Sequence, residues 1–282
     1  ASDVYKRQVF LSGDQALQYQ VGTGGAVRIY SVGNNTGNLF GSDTVKAAMQ
    51  QLAQQSRGHT LEEEYSKVIR RAVKAEGQVT TAIQSDFPAG AFPANNGLAS
   101  QLRMVARLIR GRASLGVKRQ VFFVSMGGFD LHDSLIANQP GLMQRLSDAM
   151  TAFHRQMATL GLANQVTAFT ASDFGRTLSY NSDGSDHGWG GHHFVVGGAV
   201  KGRAIYGTPP PVSIGDSTAD ADQWHVGQGR LLPTTSVDQY AATLARWFGV
   251  PDSQLDGILP NLKNFGRTAN GIAYPRDVGF MA

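Results

Sequence analysis

No cysteine occurs in the 282-residue chain, which excludes disulfides, thiolate metal sites and cysteine nucleophiles and leaves the redox compartment open. No stretch approaches the ~18 apolar residues of a membrane span, and no charged segment followed by an apolar one opens the chain. Charge is scarce: charged residues make up 16% and the net charge is +4, too small a surplus over this length to imply nucleic acid as a partner. The nearest thing to a basic patch is Arg103, Arg107, Arg110 and Arg112, followed by Lys118 and Arg119. Its first members lie at helical spacing and read as a solvated helix face. Walker, G-x-G-x-x-G and G-x-S-x-G motifs are missing, so phosphate-loop, dinucleotide and serine-elbow readings are dropped.

What is present describes an ordinary globular interior: 41% of residues are hydrophobic and no linker-like stretch divides the chain. A single domain over 9–282 is expected, preceded by an octapeptide, "ASDVYKRQ", that has the look of a non-native scar. Thr60 with Glu63 forms a capping-box pattern, and Leu61, Tyr65, Val68, Ile69 and Ala72 then repeat at helical spacing, predicting a helix over about 61–76. Leu98, Leu102, Val105, Leu108 and Ile109 predict a second helix after the Pro- and Gly-rich 85–97 loop.

"QVFFVSMGG" (120–128) is a continuously apolar run ended by glycines, the pattern of a strand buried on both faces. An amphipathic helix marked by Leu142, Leu146, Met150, Phe153 and Met157 separates it from a second such run, "QVTAFTAS" (165–172). Strand, helix, strand in this order predicts a right-handed crossover and a parallel sheet. "HFVVGGAV" (193–200) is a third strand candidate. Ser236 with Gln239 opens a last helix that Gly249 should end.

The chemistry-bearing residues follow the two apolar runs. "GGFDLH" places Asp130 and His132 two apart, so in extended chain they share a face with Cα atoms ~6.6 Å apart and could hold one cation between them. "SDFGRT" carries Asp173 and Arg176, and "SDHGWGGHHF" (185–194) carries Asp186, His187, His192 and His193. Adjacent residues diverge in extended chain, so Asp186 and His187 suit two ions, or a ligand beside an outer hydrogen-bonding group. Only one of His192 and His193 can face a site, and His193 is the ligand candidate. Imidazole and carboxylate without sulfur suit zinc, manganese or iron, and the carboxylates could also serve calcium or magnesium. Arg176 could hold a phosphate or sulfate oxygen, or pair with Asp173.

These segments, in this order and with "LLPTTSVDQYAATLARWFGV" (231–250), resemble domain-of-unknown-function family 1501, placed with the alkaline phosphatases and sulfatases. The resemblance implies an alkaline-phosphatase-like three-layer α/β sandwich with a largely parallel central sheet, incomplete at the N-terminus. It also implies a divalent metal site and twin-arginine export to the periplasm or cell surface. Carried over by motif, Asp130 and His132 look like ligands of one ion, Asp173 falls where a strand-end acidic ligand does, and His187 looks like a later ligand with Asp186 beside it. The family usually has Glu in place of Asp173 and Thr in place of Leu131, and its early G-G-x-D-G segment has no counterpart here, as in an N-terminally truncated fragment.

The activity implied is metal-dependent hydrolysis of a small-molecule or polymer phosphate or sulfate ester, with Arg176 as an oxyanion clamp. The alternative is a secreted, non-catalytic binding or assembly module that keeps a structural metal. The two differ in whether the ion retains an open coordination position.

Overall fold

The computed structural model describes residues 19–30, 32–33, 37–213, 215, 217–269 and 271–282; the opening octapeptide lies outside the described residues. The chain divides into two compact units at Met126/Gly127.

In the first unit, β1 (Val21–Gly22) and β2 (Gly25–Ala26) form a two-residue hairpin, followed by α1 (Asp43–Gln54), α2 (Thr60–Ala82), α3 (Gly97–Arg110) and the short α4 (Arg112–Leu115). The helix foreseen over 61–76 continues to Ala82. Gly77 and the β-branched pair Thr80 and Thr81 are weak helix formers, yet Val79 and Ala82 extend the buried face, so packing overrides propensity. Val79 and Ile83 pack with Met104 and Leu108 of α3. Where these helices cross, a Cβ on Gly111 would stand 2.1 Å from the Ala82 carbonyl oxygen, so only glycine fits.

Two local readings change. His59, not Thr60, caps α2, and Glu63 reaches back to the Arg57 backbone N–H (2.8 Å) and the Ser56 hydroxyl (3.1 Å) instead of closing a box with Thr60. The arginine face of α3 is not simply solvated. Arg103 forks onto Asp86 through Nε (2.9 Å) and Nη2 (2.8 Å), and Arg110 donates to the Asp86 carbonyl (3.1 Å), tying the 85–97 loop to the helix.

The second unit contains α5 (Leu135–Thr159), β3 (Thr167–Phe169), β4 (Gly175–Tyr180), β5 (Ser185–Gly188), β6 (Val195–Gly197), α6 (Val237–Phe248), α7 (Asp252–Ile258), β7 (Arg267–Ala269) and β8 (Ile272–Tyr274). α5 buries Leu142, Met150, Phe153 and Met157, as its stripe predicted. Ser236 and Gln239 close their capping box on α6, and Gly249 ends it in the left-handed region at φ 99°.

The parallel sheet is not there, and with it the alkaline-phosphatase-like sandwich is overturned. Among the described residues every sheet is an antiparallel pair: β1–β2, β3–β6, β4–β5 and β7–β8. The second apolar run contributes only β3, which pairs with β6 (Phe169 opposite Val195) and not with the first run. Residues 120–128 form no strand. Val121 and Phe123 are half-exposed, and the side-chain amide of Gln101 takes the place of a neighbouring strand, accepting from the Ser125 N–H (3.0 Å) and donating to its carbonyl (2.8 Å). A short apolar run carries β-propensity but names no partner, so its length and composition could not settle the pairing.

Candidate metal centre

β4 and β5 form a hairpin across the turn 181–184, closed by Asn181 N–H to the Gly184 carbonyl (3.1 Å) and by Gly184 N–H to Asn181 Oδ1 (3.1 Å). Arg176 stands opposite His187 and Gly175 opposite Gly188, with a register shift before the Tyr180–Ser185 pair. The Asp183–Gly184 dipeptide is a strong turn signal in the sequence, and it marks this hairpin.

The segment bearing Asp130 and His132 lies across the hairpin end. Ser185 N–H donates to the Leu131 carbonyl (3.4 Å), Leu135 N–H to that of Asp183 (3.0 Å), and the Ser134 hydroxyl to Asp183 Oδ2 (3.3 Å). A Cβ on Gly184 would sit 2.3 Å from the His132 carbonyl carbon and oxygen, so the glycine lets the two backbones touch.

That approach brings together residues far apart in sequence. One carboxylate oxygen, Asp130 Oδ1, is 2.7 Å from His187 Nε2, 2.8 Å from His132 Nε2 and 3.0 Å from Arg176 Nη1. The Asp130, His132 and His187 ligand atoms all lie within 4.8 Å of one another, on exposed side chains. The hydrogen bond with His187, reinforced by the Arg176 guanidinium and by both imidazoles, holds the Asp130 carboxyl below the usual aspartate range.

Around these three stands a set of orienting groups. Asp186 Oδ1 lies 3.3 Å from His132 Nδ1 and itself accepts from the Asn181 amide (2.9 Å). A carboxylate at Nδ1 holds the proton there and leaves the Nε2 lone pair for a cation. His132 thus has a carboxylate oxygen at each ring nitrogen, while a neutral imidazole has a single N–H. A cation placed between His132 Nε2 and Asp130 Oδ1 would take a lone pair from each. The Phe174 ring stacks on that of His187 with centroids 4.1 Å apart and planes 10° from parallel.

The other residues singled out from sequence stand elsewhere. Asp173 is exposed and outside the three-residue group. His193 Nδ1 meets the Thr170 hydroxyl at 3.3 Å and its ring stacks on Tyr240; burial first, then the charge of His192, lowers its pKa. Arg176 faces Asp130. Its Nε donates to the Ser185 hydroxyl (3.1 Å), Nη1 to Asp130, and Nη2 to the Leu131 carbonyl (2.5 Å) and to the Ser185 carbonyl. Asn181, Phe174 and Arg230, whose Nε donates to the His187 carbonyl at 3.2 Å, were not anticipated. Phe174 lies inside the "SDFGRT" segment itself, whereas no spacing rule joins Asn181 and Arg230 to the motif, which they meet only through the hairpin and the loop behind it.

A family model described as "Protein of unknown function (DUF1501)" matches residues 34–259. Comparison with curated proteins and with solved structures gives no match.

Proposed function

The chain belongs to the family of proteins of unknown function DUF1501, and on that footing we propose that it binds a divalent cation through Asp130, His132 and His187 and hydrolyses phosphate or sulfate esters there. The observation that carries this reading is the meeting of two imidazoles and one carboxylate within 4.8 Å on an exposed face. Three protein ligands are the number with which catalytic zinc sites keep a position open. Two imidazoles to one carboxylate favour zinc or manganese over calcium and magnesium, which prefer all-oxygen sets.

A bound divalent cation would supply Lewis-acid polarisation of an ester oxygen and would make water a stronger acid. The protein's own groups hold the arrangement. Without an ion Asp130 is held ionised by His187 Nε2–H and by Arg176; a cation would take the place of the His187 proton, and the Arg176 bond would remain. Asp186 fixes the His132 tautomer and ring plane, and Phe174 restricts rotation of His187. Exposure of the three ligands leaves room for an ester and for the attacking water.

The test measures zinc and manganese binding by calorimetry, then turnover of aryl phosphate and aryl sulfate esters, for the chain and for His187→Ala. Metal-dependent turnover lost in the variant is expected. Absence of metal binding would refute the site, and a bound ion without turnover of either ester would refute the hydrolase in favour of a metal-holding binding module.

A further inference from the structure

Arg176 and Arg230 both bond to the ligand hairpin, but they use their donors differently. A guanidinium has five N–H groups. Arg176 directs its Nε, Nη1 and Nη2 into Asp130, Leu131 and Ser185 and so acts as a brace for the hairpin. Arg230 is fixed along one edge only, by Nε to the His187 carbonyl (3.2 Å) and by a long Nη1 contact to the Gly227 carbonyl (3.5 Å). Among the described residues its Nη2 has no hydrogen-bond partner.

The backbone under Arg230 is held from several sides. Arg230 N–H donates to the Gly227 carbonyl (3.1 Å), and Val226 N–H to the Arg230 carbonyl (2.9 Å). The Gly229 carbonyl accepts from Leu178 N–H of β4 (2.9 Å). From behind, His225 closes the turn: its Nε2 accepts from Gly229 N–H (2.8 Å), and its Nδ1 donates to the Gly215 carbonyl. A cation anchored to the main-chain carbonyl of a ligand residue, on a turn attached to the ligand hairpin, is held on that hairpin before any substrate arrives. Such pre-organisation reduces the entropy lost on binding.

We infer that Arg230, and not Arg176, is the clamp for a tetrahedral oxyanion, the phosphate or sulfate head of the substrate, held beside a cation on Asp130, His132 and His187. This rests on the metal-centre reading above. The charge balance gives it a signature. Asp130 and Asp186 offset Arg176 and Arg230, and Asp183 in the hairpin turn adds a further negative charge, so the neighbourhood invites an anion only once a divalent ion adds its charge. Anion binding is therefore metal-dependent and, by linkage, phosphate raises metal affinity by the same factor that metal raises phosphate affinity.

The experiment titrates zinc or manganese into wild type, Arg230→Gln and Arg230→Lys, then titrates inorganic phosphate and, separately, sulfate into each metal-loaded protein, with circular dichroism to verify folding. The expected result is metal affinity within about twofold of wild type in Arg230→Gln, with phosphate or sulfate affinity lower by about tenfold or more, as for loss of a charge-assisted hydrogen bond. Arg230→Lys, which keeps the charge without the planar fork, should fall between and serves as the readout should the glutamine variant misfold. Equal anion affinity in Arg230→Gln and wild type overturns the clamp with the metal centre intact. So does a parallel loss of metal affinity, which would make Arg230 a positioning residue for His187, and so does a metal-loaded wild type that binds neither anion. If wild type binds no metal, the metal-centre reading fails and the clamp falls with it.

Discussion

Asp130 and His187 are 57 positions apart in the chain, and their side chains meet with Oδ1 2.7 Å from Nε2. The contact exists because Gly184 admits the backbone of residues 131–132 against the hairpin that carries His187, and because Arg176 pins Asp130 from the opposite strand.

Asp130 should titrate below the ordinary aspartate value of about 3.9, since the hydrogen bond with His187 favours its ionised form. A depressed carboxyl pKa means that the favourable ionised state is present above the ordinary value and is lost as pH falls through the lowered one. Carbon NMR of the Asp130 carboxyl should show its midpoint moving back up in His187→Ala. Coincident midpoints in the two proteins would remove the electrostatic account of the pair.

Asp186→Asn keeps the shape of the side chain and removes the charge that holds the proton on His132 Nδ1. Zinc affinity should fall by roughly 10–100-fold, the usual effect of losing an outer hydrogen-bonding partner, with the melting temperature little changed because Asp186 is half-exposed. An unchanged affinity would make Asp186 a bystander, and a complete loss would make it a ligand.

Gly184→Ala places a methyl group 2.3 Å from the His132 carbonyl. The 131–132 backbone must then withdraw from the hairpin. The variant should lose about 1–3 kcal/mol of stability in denaturant titration, as overpacking does, and should bind metal more weakly although no ligand has been altered. Metal affinity equal to wild type would show that the two backbones do not set the ligand geometry.

Glu63, in the other unit, is held down to a pKa of about 2, chiefly by the Arg57 backbone N–H and then by the Arg70 guanidinium. An unfolded glutamate titrates near 4.3. The sign follows from the depressed value: the contribution to stability is full above the unfolded pKa and disappears as pH falls through the folded one. Urea titrations between pH 5 and about pH 2 should show wild type converging on Glu63→Gln as the acid end is approached.

The sequence by itself determined the buried face of α5 and both ends of α6, while α2 starts from a different N-cap than its pattern marked and runs on to Ala82. Leu142, Met150, Phe153 and Met157 recur at the spacing that puts them on one face whatever that face packs against, and the Ser236 and Gln239 bonds of the capping box close within one turn. It also determined that Asp130 and His132 are neighbours and that His187 belongs with them in kind. Only the tertiary structure decided which strands pair, because the apolar runs at 120–128 and 165–172 carry no mark of partner or direction, and one of them is matched by a glutamine side chain instead of a strand. It likewise decided that Asp186 faces His132 Nδ1, that Arg176 is engaged by Asp130 and the hairpin backbone, and that Arg230 reaches the carbonyl of His187. Helical periodicity and caps are satisfied within a few residues of chain, whereas a ligand set and its supports depend on backbones brought together from distant segments, which no local pattern records.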